Sequence, residues 1–322
     1  YIGTLMGKIL KVNNINIWYE DLGDPLNETI LLIMGANANC KQWPQEFIDE
    51  LTAKNFRVVR FDNRDVGKSS WFGKEPTYNK FLKILPEFFL EIIVNRIFGL
   101  AVDNKGKFKF SESSSVQYDL SDMAKDAVSL MDSLNIEKAH IVGASMGGMI
   151  TQIIALDYPE RVKSITPIMT TPGIQNESLS GPSQELLNAM QKSFVMNLKG
   201  RFEDGVVEIY KQLTGSRFPF DEQDFRNKLA PIVEHGNNPF ALHGAAIGAS
   251  PDRTSRLNEI NVPTLVIHGT EDAILPLDHG IALADGIKNS TRMIMDRVGH
   301  EIPEQLYSEI VNAIVENIKR AS

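Results

Sequence analysis

Cysteine is nearly absent: Cys40 is the only one among 322 residues. A single thiol cannot form an intrachain disulfide, and it excludes a metal site built from several thiolates. The usage fits a reducing compartment, so a cytoplasmic location is expected. Basic excess is missing as well. The 33 Lys and Arg are outnumbered by 41 Asp and Glu, a formal net charge of -8. Such a chain gains nothing from a phosphate backbone, so nucleic acid is excluded as a partner, and the sequence carries no polybasic run for anionic membranes. No basic segment leading into an apolar run and a small-residue cleavage site opens the chain, so no secretory signal is expected.

A long uncharged apolar run is also lacking. The densest candidate, FLKILPEFFLEIIVNRIFGL (Phe81–Leu100), contains Lys83, Glu87, Glu91 and Arg96, with Pro86 inside. Charges at that frequency cost too much in hydrocarbon, so no integral membrane span is expected. The stretch reads as a helix packed on core or cap, with a lid or lipid-facing role as the sharper alternative.

What remains is ordinary globular composition, 43% hydrophobic and 23% charged. Strand and helix patterns alternate along it. KILKV and INIWYE flank Asn13-Asn14 and predict a hairpin. TILLIM (Thr29–Met34) is continuously apolar, as a strand buried on both faces is. FRVVRFD, AHIVG, VKSITPI, VPTLVIHG and TRMIMD read as further strands. Between them fall helical patterns at Pro44–Lys54, Asp119–Leu134, Gly147–Tyr158 and Leu277–Ile287, and a last one from Pro303 to Arg320. Strands separated by helices imply parallel pairing with right-handed crossovers. The alternation breaks between Pro172 and Arg256, where the patterns are helical only, with Gly200 and Gly215 as expected helix terminators. The expected organisation is an α/β core of residues 1–171 and 257–322, an insert at about 72–116, and a helical cap at 172–256.

The most specific motif is IVGASMGGM (Ile141–Met149), where Gly143-x-Ser145-x-Gly147 follows a strand and opens a helix. A strand that turns straight into a helix strains the middle residue, and small neighbours let the two elements approach. Tight packing alone is the bland reading of such a turn. A phosphate cradle would need Lys-Ser/Thr after the last glycine, and Gly148-Met149 stands there instead.

A serine hydroxyl is a poor nucleophile at neutral pH, so it needs a base, and the base needs an orienting acid. HGTEDAILP puts Asp272 just past one strand and VGHEIP puts His300 just past the next, both expected at the rim that carries Ser145. Of the six histidines, His140 and His268 read as packed core residues, and His235, His243 and His279, in helical or cap patterns, as surface or lining residues. Glu271 and Asp296 are the neighbouring acids, read as bystanders. An oxyanion needs two main-chain donors. The expected pair is the amide of Met146 and that of Ala36, in the loop MGANANCKQWP; Gly35 lets that loop turn close to Ser145, and Asn37 is a candidate substrate contact.

With these pieces in place, the chain resembles the α/β-hydrolase family over nearly its whole length. MGANAN, FDNRDVGKS, GASMGG, TLVIHGTEDAILP and VGHEIP carry the resemblance. FDNRDVGKS is similar to the family's Asp-x-Arg-Gly-x-Gly-x-Ser loop, whose role is structural, with Asp65 in place of the first glycine. Met34 stands where most members have His. MGANANCKQWP, RFDNRDVGKS and TQIIALDYPERV together resemble the aclacinomycin methylesterase-like group, which are cofactor-free hydrolases of carboxylic esters. The resemblance implies a mostly parallel twisted sheet flanked by helices, a Ser145–Asp272–His300 triad, no metal or organic cofactor, and a small-molecule ester substrate. A monomer or homodimer is expected. The same triad serves iminopeptidases, lactonases, C–C bond hydrolases and perhydrolases. An iminopeptidase would need an acidic cap residue, for which Glu208 and Glu234 are the candidates. A ligand receptor built on the fold is the rival outside enzymes.

Overall fold

Two asparagines reverse the chain at its start. Strands β1 (Lys8–Val12) and β2 (Ile15–Leu22) pair antiparallel with Val12 opposite Ile15. Asn13 and Asn14 between them have φ of 46° and 66°. Two successive positive φ values make the turn whose twist matches its strands, and asparagine tolerates that backbone better than most residues. These coordinates come from a computed structural model that describes residues 7–77, 79–103, 106–109 and 116–321. Parts of the expected 72–116 insert lie outside the described residues.

The chain continues through β3 (Thr29–Ile33), α1 (Gln45–Ala53) and β4 (Arg57–Phe61), then α2 (Asn79–Leu82) and α3 (Glu87–Ala101) in the insert. Helix α4 (Leu120–Ser133), β5 (Ala139–Ala144), α5 (Met146–Asp157) and β6 (Val162–Ile168) follow. Helices α6 (Gln184–Leu198), α7 (Phe202–Leu213), α8 (Glu222–His235) and α9 (His243–Ala249) then run without a strand. Strand β7 (Thr264–Gly269), α10 (Leu277–Gly286), β8 (Ser290–Met295) and α11 (Tyr307–Lys319) complete the order.

The eight strands form one sheet in the order β1-β2-β4-β3-β5-β6-β7-β8. From β4 to β8 every pairing is parallel; β2 alone runs against the rest, antiparallel to both β1 and β4. Strands β3, β4, β5 and β7 are buried along their full length, which is what an unbroken apolar run such as TILLI encodes. Alternate residues serve two cores. Leu31 and Ile33 face α4 and α5, and Ile30 and Leu32 face α1 and α11. At about 25 cal/mol per Å2 of apolar surface, the two layers supply the main stabilisation.

Three local expectations change. Gly215 does not terminate α7 with a left-handed residue: the helix ends at Leu213, and Thr214 caps it in extended backbone. The glycine serves close approach instead, because a Cβ there would lie 2.4 Å from Arg297 O. Of the histidines expected at the surface or as lining, His279 of α10 lines the cavity, whereas His235 and His243 do not, and all three are buried with polar partners. The apolar insert, finally, leaves much of α3 uncovered, since its inner residues Leu90 and Val94 pack on Val195 and Leu198 of α6 while Phe88 and Ile92 face outward.

Candidate active site

Parallel strands all deliver their following loops to one rim of the sheet. The loops after β3, β5, β7 and β8 carry Ala36, Ser145, Asp272 and His300. At Ser145 the strand becomes a helix within one residue, with φ 54° and ψ -119°. Non-glycine residues rarely adopt such a backbone, and it persists only where the surroundings impose it. The imposition is visible. Ser145 N–H donates to Ile168 O over 2.9 Å, and Thr170 Oγ1 donates to Ser145 O over 2.7 Å. A Cβ at Gly147 would lie 2.0 Å from Ile33 O, so only glycine lets the first turn of α5 come down on β3.

Asp272 is buried at the turn after β7. Its Oδ1 accepts from the amides of Ile274 and Leu275 at 3.0 and 2.8 Å, and its Oδ2 accepts from His300 Nδ1 at 2.6 Å. Burial pushes the carboxyl's pKa up, but the charge and hydrogen bond of His300, with His268 and the Leu275 amide, outweigh it and hold the value below the ordinary carboxylate range. Asp272 therefore stays an acceptor and fixes the imidazole with Nε2 free. His268 Nε2 lies 3.4 Å from the same oxygen and donates to Leu275 O over 2.7 Å. Burial lowers its pKa and keeps it neutral.

Ser145 and His300 both line a cavity of about 500 Å3. No hydrogen bond joins Ser145 Oγ to His300 among the described residues; in free enzymes this contact is often long and tightens when substrate enters. Gly35, Ala36 and Asn37 line the same cavity. A Cβ built on Gly35 would sit 3.1 Å from Ser145 Cβ, so the loop after β3 runs against the serine. The amide of Ala36 has no acceptor within the described protein, and that of Met146 is the first of α5, where helix geometry provides none. The Met146 side chain is buried in the core and leaves only its main chain to the site. Asn37 has φ 58°, a local reason for asparagine at that position.

The sequence reading missed what holds this rim in place. His243 of α9 accepts from Asn37 N–H at Nδ1 over 2.8 Å and donates from Nε2 to Arg64 O over 2.7 Å. Burial lowers its pKa and maintains the neutral form that the first bond requires. Asp65, with φ 74°, explains the glycine usual there. Its carboxylate collects Phe72 N–H, Gly73 N–H, Tyr118 O–H, Asn238 Nδ2 and Leu242 N–H at 2.6 to 3.1 Å. It joins insert, core and cap at one point. Burial raises the Asp65 pKa, and these donors outweigh it and hold the group low. Arg64 is bidentate to Asp126, and Ser69 bonds Asp62 O and Trp18 N, so both are structural. Beyond α7, His300 N–H donates to Leu213 O, Gly215 N–H to Glu301 and Ser216 N–H to Glu271, which straps the cap to the loops of the acid and base. Glu271 thus has a structural partner, and Asp296 pairs with Arg297 at the surface.

Cys40, Asp62 and His235 lie within 4.8 Å of one another and are buried. Asp62 already accepts from Cys40 N–H, Lys68 N–H and His235 Nε2, so its lone pairs serve the protein. Burial raises the Cys40 pKa and keeps the thiol protonated. The donor set suits a latch between α8 and the core better than a metal. Glu208 and Glu234 do not line the cavity, and no Asp or Glu does among the described residues.

The family model described as alpha/beta hydrolase fold matches residues 28–305. Rhodomycin D methylesterase DauP of Streptomyces sp. (strain C5) is 26% identical over 98% of this chain and 99% of its own. The 2-hydroxy-6-oxononadienedioate/2-hydroxy-6-oxononatrienedioate hydrolase 1 of Pseudomonas putida is 27% identical, covering 89% of this chain and 86% of its own. Among solved structures, bromoperoxidase from Bacillus anthracis superposes with a TM-score of 0.70 at 19% identity, over 98% of this chain and 100% of that one.

Proposed function

The chain belongs to the α/β-hydrolase family, and from that premise we propose that it is a serine carboxylesterase working through an acyl-enzyme. The single observation that carries the reading is the strained Ser145 facing one cavity with His300, whose Nδ1 is held 2.6 Å from Asp272.

In this mechanism His300 Nε2 takes the Ser145 proton as Oγ attacks the ester carbonyl carbon. The oxyanion rests on the amides of Ala36 and Met146, neither of which is used by an acceptor of the described protein. The tetrahedral intermediate collapses, the C–O bond to the alcohol breaks, and His300 returns its proton to the leaving oxygen. Water then enters, gives a proton to His300, and its oxygen attacks the acyl carbon; the bond to Ser145 Oγ breaks, His300 returns the proton to that oxygen, and the carboxylic acid leaves. Asp272 stays ionised throughout and balances the imidazolium.

We read residues 172–256 as the cap that selects substrate, with 1–171 and 257–322 as the core. Leu186, Met190, Phe202, Tyr210, Leu229 and Ile247 of the cap helices line the cavity, and such walls suit a bulky apolar acyl group. The methylesterase relatives support an ester with a small alcohol. The Pseudomonas putida hydrolase is named for a dioate, which carries two carboxylates. Lys107 is the one Lys or Arg that lines this cavity among the described residues, and its Nζ donates to Asn176 O. That favours a neutral ester over a dianion. The iminopeptidase reading loses its support, because neither candidate carboxylate reaches the cavity.

The test is a panel of methyl and p-nitrophenyl esters of increasing acyl bulk, run on wild type and Ser145→Ala. Turnover should be continuous in wild type and fall by at least about 10^4-fold in the variant. Hydrolysis surviving in the variant would end the serine mechanism, and a single acylation without turnover would favour a receptor.

A further inference from the structure

The outer face of α3 has no protein partner among the described residues. Phe88, Phe89, Ile92, Ile97 and Leu100 are 48 to 72% exposed, and Phe81 and Ile84 in the preceding turn are 71 and 81% exposed. Contiguous apolar surface of this extent marks an interaction site. The helix is seated by its opposite side only, through Leu90 and Val94 on α6.

Helix spacing places a cation within that face. Phe88, Ile92, Arg96 and Leu100 follow one another at four-residue steps. The Arg96 side chain is exposed and has no hydrogen bond or acidic partner among the described residues, and the same holds for the side chains of Lys74 and Lys80 nearby in the chain. Residues 71–116 hold seven basic and five acidic side chains, in a chain whose net charge is -8. By sequence the insert thus carries a small basic excess in an otherwise acidic chain. A second copy fits this surface poorly. Two-fold pairing of the face would bring two unpaired guanidinium groups into one apolar contact. At a lipid surface the same arginine extends to the phosphates while its neighbours enter the acyl boundary.

The surroundings of the face point the same way. A second cavity, of about 310 Å3, is lined by Pro76, Asn79 and Lys83 of the insert together with Phe194. It shares Asn197, Phe202, Val233, Asn237 and Pro239 with the cavity of Ser145. Asn79 and Lys83, in the segment that leads into the apolar face, thus line a cavity that adjoins the site. No helix among the described residues is long and apolar enough to cross a membrane, so contact would be peripheral.

We propose that the outward face of α3 and the turn before it docks on a lipid–water interface that carries anionic headgroups. Docking is independent of the ester reading, because it uses none of the residues assigned to chemistry. The full chain, wild type and Ser145→Ala alike, should co-sediment with phosphatidylcholine vesicles containing phosphatidylglycerol, and several-fold less with phosphatidylcholine alone. Phe88→Glu with Ile92→Glu should lower partitioning at least about tenfold, since each substitution removes an apolar contact and adds a like charge. Arg96→Gln should lower it about fivefold on the anionic vesicles, the equivalent of ~1 kcal/mol per basic residue. All these side chains are on the surface, so hydrolysis of a short soluble ester should be unchanged and reports an intact fold. Failure of wild type to bind either vesicle at low ionic strength overturns the proposal. So does a dimer that Phe88→Glu with Ile92→Glu converts to monomer while neither form binds vesicles.

Discussion

The backbone at Ser145, with φ 54° and ψ -119°, lies where glycine is comfortable and a Cβ is not. The strain is stored at the residue proposed as the nucleophile. Replacing it by glycine should release on the order of 1–3 kcal/mol of strain, offset by roughly 0.5–1 kcal/mol of extra unfolded-state entropy. Ser145→Gly should therefore unfold at a higher denaturant midpoint than Ser145→Ala, with both inactive. An alanine variant at least as stable as the glycine variant would mean that the turn is relaxed. The serine was legible because Gly-Ala-Ser-Met-Gly-Gly can do little else between a strand and a helix. Asp272 and His300 were legible from their places after strands. Asp65 was not, since a lone aspartate in place of a glycine gives no sign that five donors from insert, core and cap converge on it.

Helix α9 shows how an element far along the chain sets the geometry of the rim. His243 at its start is the acceptor for Asn37 N–H, one residue past the Ala36 amide, and Arg64 O fixes its tautomer. His243→Leu should leave that donor unpaired, a cost of about 1–3 kcal/mol, and let the loop drift from the oxyanion position. The expected result is a fall in kcat of at least about tenfold with KM nearly constant, and more loss for esters with poor leaving groups. Equal changes in kcat and KM across the panel would assign His243 to packing alone. The same element reasoning applies to the Leu213–Arg217 strap, which bonds the loops of both Asp272 and His300. Helix periodicity in the cap gave the existence of these helices but not their contacts. A 3.6-residue stripe says that a face is buried, and says nothing of which loop it is buried against. That is why Gly215 read as a terminator when its role is close approach to Arg297 O.

At the scale of the whole molecule, burial of histidine links stability to pH. His140, His243, His268 and His279 are buried, and burial is the leading cause that lowers each of their pKa values from 6.5, for His140 to about 4. In the unfolded chain each binds a proton near pH 6.5, whereas the folded protein refuses it until lower pH. Stability is therefore complete above about pH 6.5 and is lost as pH falls below it. With all four protons at stake the slope reaches at most about 5.5 kcal/mol per pH unit, at ~1.4 kcal/mol for each proton. The carboxyls of Glu28, Asp65 and Asp272, held low, add to the loss at more acid pH. Those of Asp126 and Glu301, held high by burial, act in the opposite sense. Measurement between pH 7.5 and pH 5 keeps the histidines dominant. Urea midpoints should drop steadily over that range. His140→Leu, which removes a titrating group whose Nε2 has no hydrogen-bond partner, should flatten the slope by about one proton. A midpoint that stays level or rises toward pH 5 would show that the folded protein takes up these protons freely, and that the neutral His243 on which the oxyanion loop depends is not enforced by burial.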